Sequence, residues 1–550
     1  MNKRLVFIFL SLIIQVSSVQ AQDTRGEVKD QEFVIRKDRV LTLPPQPRNF
    51  MRTPPLPESQ GVGRLNYQVQ SFFLSLPPVE TSTQPYQRRF QTQKPDLYHN
   101  YAKVGYGNYN SPLAEIYINN VASDYRNFGA YVHHQGFYTG PVDGRNSAED
   151  HTKVRFDGSM FLEGMEVYGK VGYDRDKHHF YGYTPGTEVN RDTLGQIFHT
   201  LYGNAGIRNI NQTQSFNYDG NVSLRLFNDN FIAREHELGL NAKMGFRAND
   251  NLRAVVNTDG YFTSPSDLFY NNINRNYLRI NPFVEYIREG LKVRAGANMV
   301  YENDITANKN SDFHIFPNVH ASYNFTEELG VFVGLEGDVI RQTYYDFAME
   351  NPWLGPSERL LNTRQNYQAS AGIRGDVNDE LTYTVGVKFG QFRNMHFYGN
   401  NRIDSTRFEL LYDDQTEVLN FNVGVGWKYA NWYRLQLAAD YYQYNLSNLN
   451  GAWHRPEWEL KVNNTFTPTD KWFITANLNA MGGIRAINLE SGNTANLKPL
   501  IDLSTRVDYA FTDRFSAFVM GNNLLNQNYQ RYWNYRVRGI QGIGGVTFKF

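Results

Sequence analysis

Two pairs of adjacent histidines, His133-His134 and His178-His179, are the residues of this 550-residue chain whose type and spacing could most readily bind a metal ion. Imidazole nitrogens are common metal ligands, but one ion needs several ligands that converge on one point. Adjacent residues of a β-strand point to opposite faces, so neither pair can close on one ion from a single strand. We therefore predict no metal site and no cofactor.

Signatures of catalysis are also missing from the sequence. Neither Gly-x-Ser-x-Gly nor His-Glu-x-x-His occurs, although these motifs carry much of hydrolase and metalloprotease chemistry. The nearest match to a phosphate loop runs from Gly164 to Lys170, but Val171 stands where a serine or threonine would bind magnesium. That stretch alternates like a strand and is interpreted as one. We predict that the chain is not an enzyme.

The charges and the cysteine count exclude further classes of function. Lysine plus arginine and aspartate plus glutamate number 55 each, so no overall field favours nucleic acid, and no nucleic-acid partner is expected. The chain contains no cysteine, which excludes a disulfide scaffold and a lipid-modified amino-terminal cysteine.

The elements that must position all these side chains are β-strands. Apolar and polar residues alternate with a period of two along most of the chain, most clearly in residues 291–301, 381–390, 421–429 and 501–511. A barrel wall between lipid and a polar lumen requires this alternation, and it keeps the mean hydropathy as low as −0.55. The aromatic content of 15% suits two interfacial girdles. We predict an all-β, transmembrane antiparallel β-barrel in contact with outer-membrane lipid.

The amino-terminal residues have a different character. Lys3 and Arg4, the apolar run Leu5–Val16 and the small-residue site Val19–Ala21 predict a secretory signal peptide over residues 1–21. Residues 22–97 contain many prolines and predict a short irregular periplasmic segment. The barrel is then expected to occupy residues 98–550.

Short polar turns with apolar or aromatic flanks recur about every 40 to 50 residues, which leaves room for two membrane-crossing strands and one longer connection. The predicted short turns, placed on the periplasmic side, are Phe246–Leu252, Ile287–Leu291, Phe325–Leu329, Val377–Leu381, Tyr429–Tyr433, Phe466–Trp472 and Phe511–Phe515. The predicted outer connections are Ser264–Asn276, Asn303–Ser311, Tyr345–Arg364, Gly399–Glu417, Asn445–His454, Gly482–Asn496 and Asn526–Gly539. This pattern predicts roughly fourteen strands after Asn251 and six to eight before it, about 20 to 22 in all.

The carboxyl-terminal sequence carries a family resemblance. Residues Phe518–Tyr529, with their run of asparagine and leucine, and the final strand Gly542–Phe550 resemble the last two strands of TonB-dependent receptors. The resemblance implies a large barrel in the outer membrane of a Gram-negative bacterium. It also implies that Val546, Phe548 and Phe550 form a signal read by the barrel-assembly machinery.

Receptors of that family carry a plug domain inside the barrel, preceded by a short box that contacts TonB. Residues 22–97 lack the glycine-rich strand pattern of a plug. The sequence therefore predicts a plugless relative, and energised uptake by this chain alone is not expected.

A barrel of about 20 strands has a lumen wide enough for water and solute, so something must fill or gate it. We predict a transport or receptor barrel gated by its loops or by a partner. The alternative is a non-transporting scaffold subunit of a larger outer-membrane complex, with a periplasmic or surface lipoprotein as its partner.

Aromatic side chains in the outer connections favour contact with a ligand or partner over catalysis, because they offer broad apolar surface. The candidates for this contact are Tyr344, Tyr345, Phe347, Tyr529, Tyr532 and Trp533.

Overall fold

The computed structural model describes residues 99–123, 125–210, 215–268, 270, 273–303, 311–356 and 358–550. The predictions for residues 1–97, namely the signal peptide, the proline-rich segment and the missing plug, lie outside the described residues. No helix within the described ranges is both long enough and apolar enough to span a bilayer.

The alternating sequence folds into strands that pair in order along the chain. The first half contributes β1 (Tyr101–Gly107), β2 (Ser111–Ser123), β3 (Arg126–Phe137), β4 (Glu149–Leu162), β5 (Met165–His179), β6 (Gly195–Asn209), β7 (Phe216–Asp229), β8 (Arg234–Arg247), β9 (Leu252–Ser266), β10 (Arg275–Arg288), β11 (Leu291–Glu302), β12 (Asp312–Asn324), β13 (Gly330–Ile340) and β14 (Thr363–Val377).

The second half contributes β15 (Leu381–Arg393), β16 (Met395–Asn400), β17 (Phe408–Asp413), β18 (Thr416–Tyr429), β19 (Tyr433–Leu446), β20 (Trp458–Thr469), β21 (Trp472–Gly482), β22 (Arg485–Ile487), β23 (Thr494–Asn496), β24 (Leu500–Ala510), β25 (Phe515–Asn522), β26 (Gln530–Tyr532), β27 (Tyr535–Arg536) and β28 (Gln541–Lys549). One short helix, α1, covers Tyr344–Glu350.

Twenty-two of these strands form one sheet, and three small hairpins, β16–β17, β22–β23 and β26–β27, lie in connections between them. The sheet closes because β1 pairs antiparallel with β28, with Tyr101 opposite Lys549 and Gly107 opposite Ile543. Closure leaves no free edge where first and last strands meet. The predicted fold class is confirmed, at the upper end of the predicted strand number.

The two faces of the wall differ as the alternation requires. On β28, Val546, Phe548 and Phe550 are exposed on the outer face, whereas Thr547 between them is buried toward the lumen. On the neighbouring wall Lys103 and Glu115 are buried and form an ion pair of 2.6 Å. The outer face is therefore apolar, and buried charges on the inner face, such as Lys103 and Glu115, pair with each other.

The predicted turns locate the strand ends well. All seven predicted short turns join consecutive barrel strands at one end, called here the short-turn end, and β9 to β28 supply the fourteen predicted strands. The longer connections lie at the opposite, long-loop end. The Asn303–Ser311 connection falls largely outside the described residues.

Regular structure inside the long connections was not predicted. Helix α1 occupies the start of the predicted Tyr345–Arg364 loop. The side chain of Thr343 accepts a hydrogen bond from the backbone N–H of Asp346, whose carboxylate accepts from the N–H of Thr343. This reciprocal capping box fixes the helix start.

The apolar outer face predicts that a charged substitution there lowers the stability of the barrel. Phe421 lies midway along β18 and is half exposed on the outer face. We expect Phe421→Arg to lower the free energy of unfolding by about 2–4 kcal/mol, because arginine would sit near the bilayer midplane. The matched control is Gln436→Arg, on the lumen-facing side of neighbouring β19, which should change stability little. Urea unfolding in lipid vesicles measures both, and equal losses would contradict the assigned faces.

Candidate functional site

The long connections meet across the mouth of the barrel. Trp353, in the β13–β14 connection, stacks on Tyr535, in the β25–β28 connection, with ring centroids 3.9 Å apart. Strands β15, β18, β19, β20, β21 and β24 separate these two connections along the wall, which is roughly 30 Å at the usual strand spacing. The contact can be made only if the connections cross the mouth. We call connections 180–194, 341–362, 394–415, 447–457 and 523–540 together the loop cap.

The loop cap has a packed interior of its own. Its largest apolar cluster joins several connections to the wall beneath and contains Phe180, Leu194, Phe198, Phe227, Ala233, Tyr270, Tyr344, Phe347, Ala348, Trp353, Leu354, Leu360, Tyr398, Phe408, Tyr532 and Tyr535. Tyr181 meets Tyr535 edge to face, with centroids 4.8 Å apart, and so joins the β5–β6 connection to the last one. Aromatic pairs of this geometry add to the stability that burial gives.

Helix α1 lies against the inner wall of the barrel. The backbone N–H of Tyr344 donates to Glu235 of β8 at 2.8 Å, and the guanidinium of Arg225 on β7 lies 4.1 Å from the centre of the Tyr345 ring. Arg341, just before the helix, pairs with Glu237 of β8. The β13–β14 connection is therefore folded into the lumen.

A polar group is buried at the centre of the loop cap, where three connections meet. Glu350 at the end of α1 lies 3.2 Å from Nη1 of Arg455 in the β19–β20 connection, and it accepts a hydrogen bond of 2.8 Å from the hydroxyl of Tyr398 on β16. Nε2 of His396 lies 2.6 Å from Nη2 of Arg455. We call Glu350, His396, Tyr398 and Arg455 the buried ion cluster.

The charge states in this cluster follow from its geometry. Burial alone would raise the pKa of Glu350, but Arg455 and His396 beside it lower that pKa to about 2. Nε2 of His396 lies 2.6 Å from the guanidinium of Arg455, which can only donate, and 2.9 Å from Oε2 of Glu350, which can only accept, so this nitrogen can bond to only one of them at a time. Burial and the charge of Arg455 both lower the pKa of His396.

His454 joins the same region and is held neutral in one tautomer. Its Nδ1 lies 2.8 Å from the carbonyl oxygen of Tyr398, which can only accept, and its Nε2 lies 3.3 Å from the backbone N–H of Trp533, which can only donate. A proton on Nε2 would face that N–H. Burial, opposed by the hydrogen bond to Tyr398, lowers the pKa of His454 to about 3.

Below the cap the lumen carries a row of asparagines on five consecutive strands. Asn241 donates to Asn221 at 3.3 Å, Asn257 to Asn281 at 3.2 Å, and Asn281 to Asn298 at 2.7 Å. We call these five residues the asparagine row. Sequence reasoning missed it, because strand register rather than spacing along the chain brings these residues to one height.

One arginine of the lumen near this row pairs with two aspartates. Arg279 lies 2.6 Å from Asp259 and 2.7 Å from Asp338, on either side of it. The lining at this height is thus polar without a strong excess of either sign.

The structure places most of the predicted contact residues inside the cap. Tyr344, Phe347, Tyr529 and Tyr532 are buried, while Tyr345 and Trp533 are partly buried. Their role in contacting a ligand or partner remains a prediction, and composition alone could not distinguish a buried aromatic from an exposed one. The predicted assembly signal Val546, Phe548 and Phe550 lies on the outer face of the last strand, and its recognition likewise remains a prediction.

In each histidine pair, the two imidazole rings contact different residues. Nδ1 of His133 lies 3.9 Å from Glu115 in the lumen, whereas His134 on the opposite face contacts Thr152. Nδ1 of His178 lies 3.9 Å from Glu149, and Nδ1 of His179 contacts the carbonyl oxygen of Ala148.

A different set of side chains comes together at the long-loop end. Within the described ranges, one group of three possible metal ligands converges: Glu302, Asp312 and His314, whose ligand atoms lie within 4.8 Å of one another. Asn362 already donates to Glu302 at 2.7 Å.

A closed 22-strand wall with an apolar outer face and long connections folded into its mouth is the architecture of large receptor barrels of the Gram-negative outer membrane. No family model and no curated protein matches the sequence. Solved structures share the fold: the FrpB iron transporter from Neisseria meningitidis (TM-score 0.64, 8% identity, covering 82% of this chain and 81% of that one) and the siderophore receptor PirA from Acinetobacter baumannii (TM-score 0.63, 10% identity, 82% and 80%).

The ferric-catecholate import receptor Fiu from E. coli K12 is similar to the same extent, with a TM-score of 0.61 at 11% identity over 82% of each chain. The chain thus has the fold of a TonB-dependent receptor barrel, as the carboxyl-terminal resemblance predicted. Identities this low establish the fold alone.

The neutral state of His454 makes the loop cap sensitive to acid. Opened loops bind a proton below pH 6.5 that the closed cap does not, so the contribution of His454 is complete above pH 6.5 and falls as the pH drops toward 3. At pH 5 the loss is about 2 kcal/mol. We expect hydrogen exchange of residues 395–413, corrected for its intrinsic rate, to accelerate by at least about thirtyfold between pH 7.5 and pH 5.

His454→Asn is the matched control. Residue 454 has a positive φ of 58°, which asparagine tolerates well, and asparagine cannot take up the proton. The variant should show an acceleration about thirtyfold smaller than that of the unmodified protein, because it keeps only the contribution of other buried groups such as His396, whose pKa is also lowered. An unchanged acceleration would show that another group controls the cap.

Proposed function

We propose that this chain is a receptor or transport barrel whose lumen is gated at the long-loop end by its own loop cap. The main support is that connections from distant parts of the wall meet across the mouth, as the Trp353–Tyr535 stack does. Solved structures with this fold include an iron transporter, an import receptor and a siderophore receptor. A barrel of this width needs closure of some kind to preserve the permeability barrier.

The buried ion cluster is the part of the cap best suited to act as its latch. It joins the connections that carry α1, β16 and Arg455, so all three must separate if it breaks. Removing one member of a buried ion pair costs about 3–5 kcal/mol, because the other charge stays buried without compensation. A cluster of this kind holds one arrangement firmly and releases it in a single step.

The lumen favours a solute that is recognised through hydrogen bonds. The partly exposed members of the asparagine row, Asn221, Asn241 and Asn257, offer amide donors and acceptors. Arg279 is matched by Asp259 and Asp338 on either side. Amide side chains can exchange their mutual hydrogen bonds for those of a passing solute at little net cost. A fixed array of like charges, which would select one sign of ion, is lacking near the row.

A scaffold role is the second candidate, and the density of the cap favours it. Phe347, Phe408 and Tyr535 are fully buried, as in a permanent protein core. A cap of that kind could serve as a fixed outer surface for another component of the membrane. Conductance separates the two candidates.

Arg455→Met tests the gate. Methionine keeps much of the side-chain volume but leaves Glu350 buried without its cation, so the closed cap should lose about 3–5 kcal/mol. In planar bilayers we expect low conductance from the unmodified protein and an increase of at least about tenfold from the variant. Arg402→Met is the control, because Arg402 pairs with Glu409 on the exposed surface of the same cap and surface pairs contribute little.

The possible outcomes differ for the two candidates. Conductance that rises only in Arg455→Met supports the gate. If hydrogen exchange shows that the cap of Arg455→Met has loosened while the bilayer stays silent, the lumen is obstructed below the cap and the scaffold role is favoured. High conductance in the unmodified protein would refute gating by the cap.

Ion selectivity of the opened variant tests the interpretation of the lumen. Under a gradient of potassium chloride, we expect the permeability ratio of potassium to chloride to lie within about twofold of one, because the charges near the asparagine row are balanced. The reversal potential measures this ratio. A strong preference for either ion would contradict a lumen built for solutes without a large net charge.

A further inference from the structure

One boundary in the barrel wall is incomplete. Strands β12 and β13 pair from Asn324 opposite Gly330 up to Asn318 opposite Glu336, and their pairing stops there. Both strands continue beyond that point, β12 toward Asp312 and β13 toward Ile340. Over that stretch β12 keeps its pairing with β11 and β13 keeps its pairing with β14. The wall therefore separates between two strands over its outer half.

A β-bulge in β14, opposite Gly337, accompanies the separation. Glu336 and Asp338 of β13 pair with Gln368 and Gln365 of β14, so Gly337 alone faces two residues of β14. A bulge of this kind bends its strand and increases the local twist. A Cβ on Gly337 would lie 2.8 Å from the ring of Phe316 and 2.8 Å from the carbonyl oxygen of Asn366, so only glycine fits the bend.

Beyond the bulge β13 lies against the inner side of its neighbours. Val339 is 2% exposed and packs with Tyr277, Val300 and Phe316, which all face the lumen from β10, β11 and β12. Strand β13 has thus moved inward, behind the wall that it would otherwise continue.

The backbone of the displaced strand is supplied with new partners by lumen side chains. The hydroxyl of Tyr277 donates to the carbonyl oxygen of Val339 at 3.0 Å, and the amide of Asn298 donates to the carbonyl oxygen of Gly337 at 2.7 Å. Arg279 pairs with Asp338 at 2.7 Å. The β13 side of the gap is therefore satisfied within the protein.

The β12 side is different. No described residue pairs with its backbone between Asp312 and Pro317 on the side that β13 has left. On this stretch Phe313 is 61% and Ile315 63% exposed, against 40% for Val319 where the wall is complete. Pro317, which has no N–H to donate, is typical of an edge strand. Alternate residues of this stretch direct N–H and C=O groups into the gap.

From this geometry we propose that the outer half of β12 is a docking edge, which an extended segment of a partner polypeptide completes by adding a strand. Its outer face is apolar, so the edge lies in or beside hydrocarbon, where each unsatisfied backbone group costs several kcal/mol. Lipid chains cannot supply hydrogen bonds, whereas a peptide in β conformation supplies them at the right spacing. The stretch accommodates about five residues, or roughly 17 Å.

A second copy of this chain is excluded as the occupant by symmetry. A two-fold axis along the membrane normal would join the lipid-facing side of one β12 to the lumen-facing side of the other. A two-fold axis in the membrane plane would invert one copy across the membrane. We take the occupant to be a different polypeptide, with apolar side chains beside Phe313 and Ile315 on its lipid-facing positions. A crosslink within this chain itself would overturn that assignment.

Strand addition can be tested in the purified full-length protein, because the chain has no cysteine of its own. The variant Ile315→Cys places one thiol on the edge, and Val319→Cys places one on the same face of the same strand where pairing is complete. The probe is a six-residue peptide that alternates threonine and valine and carries an activated disulfide. Its control is the same peptide with alternate backbone nitrogens methylated, which keeps the side chains but cannot form the ladder.

We expect the unmodified peptide to label the Ile315→Cys variant about ten times more than the methylated peptide does, which corresponds to little more than one net hydrogen bond. No such difference is expected for the Val319→Cys variant. Equal labelling of Ile315→Cys by the two peptides, or the same difference in Val319→Cys, would overturn the docking edge.

The partner itself is tested in native outer membranes. A benzophenone amino acid at position 315 should form an adduct with one discrete polypeptide, and the same group at position 319 should not. Adducts with lipid only, or no position-dependent polypeptide adduct, would overturn the proposal that a polypeptide occupies the edge.

Discussion

Backbone groups cannot be left without hydrogen bonds inside a bilayer, and this constraint organises the whole molecule. It accounts for the closure of β1 on β28, which removes the edges that an open sheet would expose to lipid. It also fixes the alternation of side chains, since a closed wall has one face in hydrocarbon and the other toward the lumen. Between β12 and β13 both strands continue without pairing, and a second polypeptide would restore the rule there.

The lumen and the cap obey a related requirement, because polar groups removed from water need partners. The asparagine row satisfies its amides across strands, and the buried ion cluster satisfies Glu350 with Arg455 and Tyr398. These arrangements differ in how firmly they hold. Neutral amides exchange partners at little cost, whereas a buried carboxylate and guanidinium separate only with a large penalty. The interior thus combines an adaptable lining with a rigid closure.

Much of the wall could be predicted from the sequence, because strand alternation and polar turns are local signals. The turn at Val377–Leu381 and the strand beginning at Leu291 follow directly from neighbouring residues. The loop cap could not be predicted in this way. Glu350, His396 and Arg455 lie on three connections that only the closed barrel brings together. The short helix α1, which ends at Glu350, depends on a single cap at Thr343. The bulge of β14 opposite Gly337 was equally hidden, since an isolated glycine in a strand has several possible meanings.

The stack of Trp353 on Tyr535 also has a consequence for the order of folding. Tyr535 belongs to the last connection of the chain, so the centre of the cap cannot be completed until the final hairpin has reached the barrel. Contacts between such distant residues form slowly, because a long stretch of chain must first be ordered. Closure of the wall between β1 and β28 and completion of the cap therefore both wait for the last residues of the chain, so the entrance and the wall are finished by the same final hairpin.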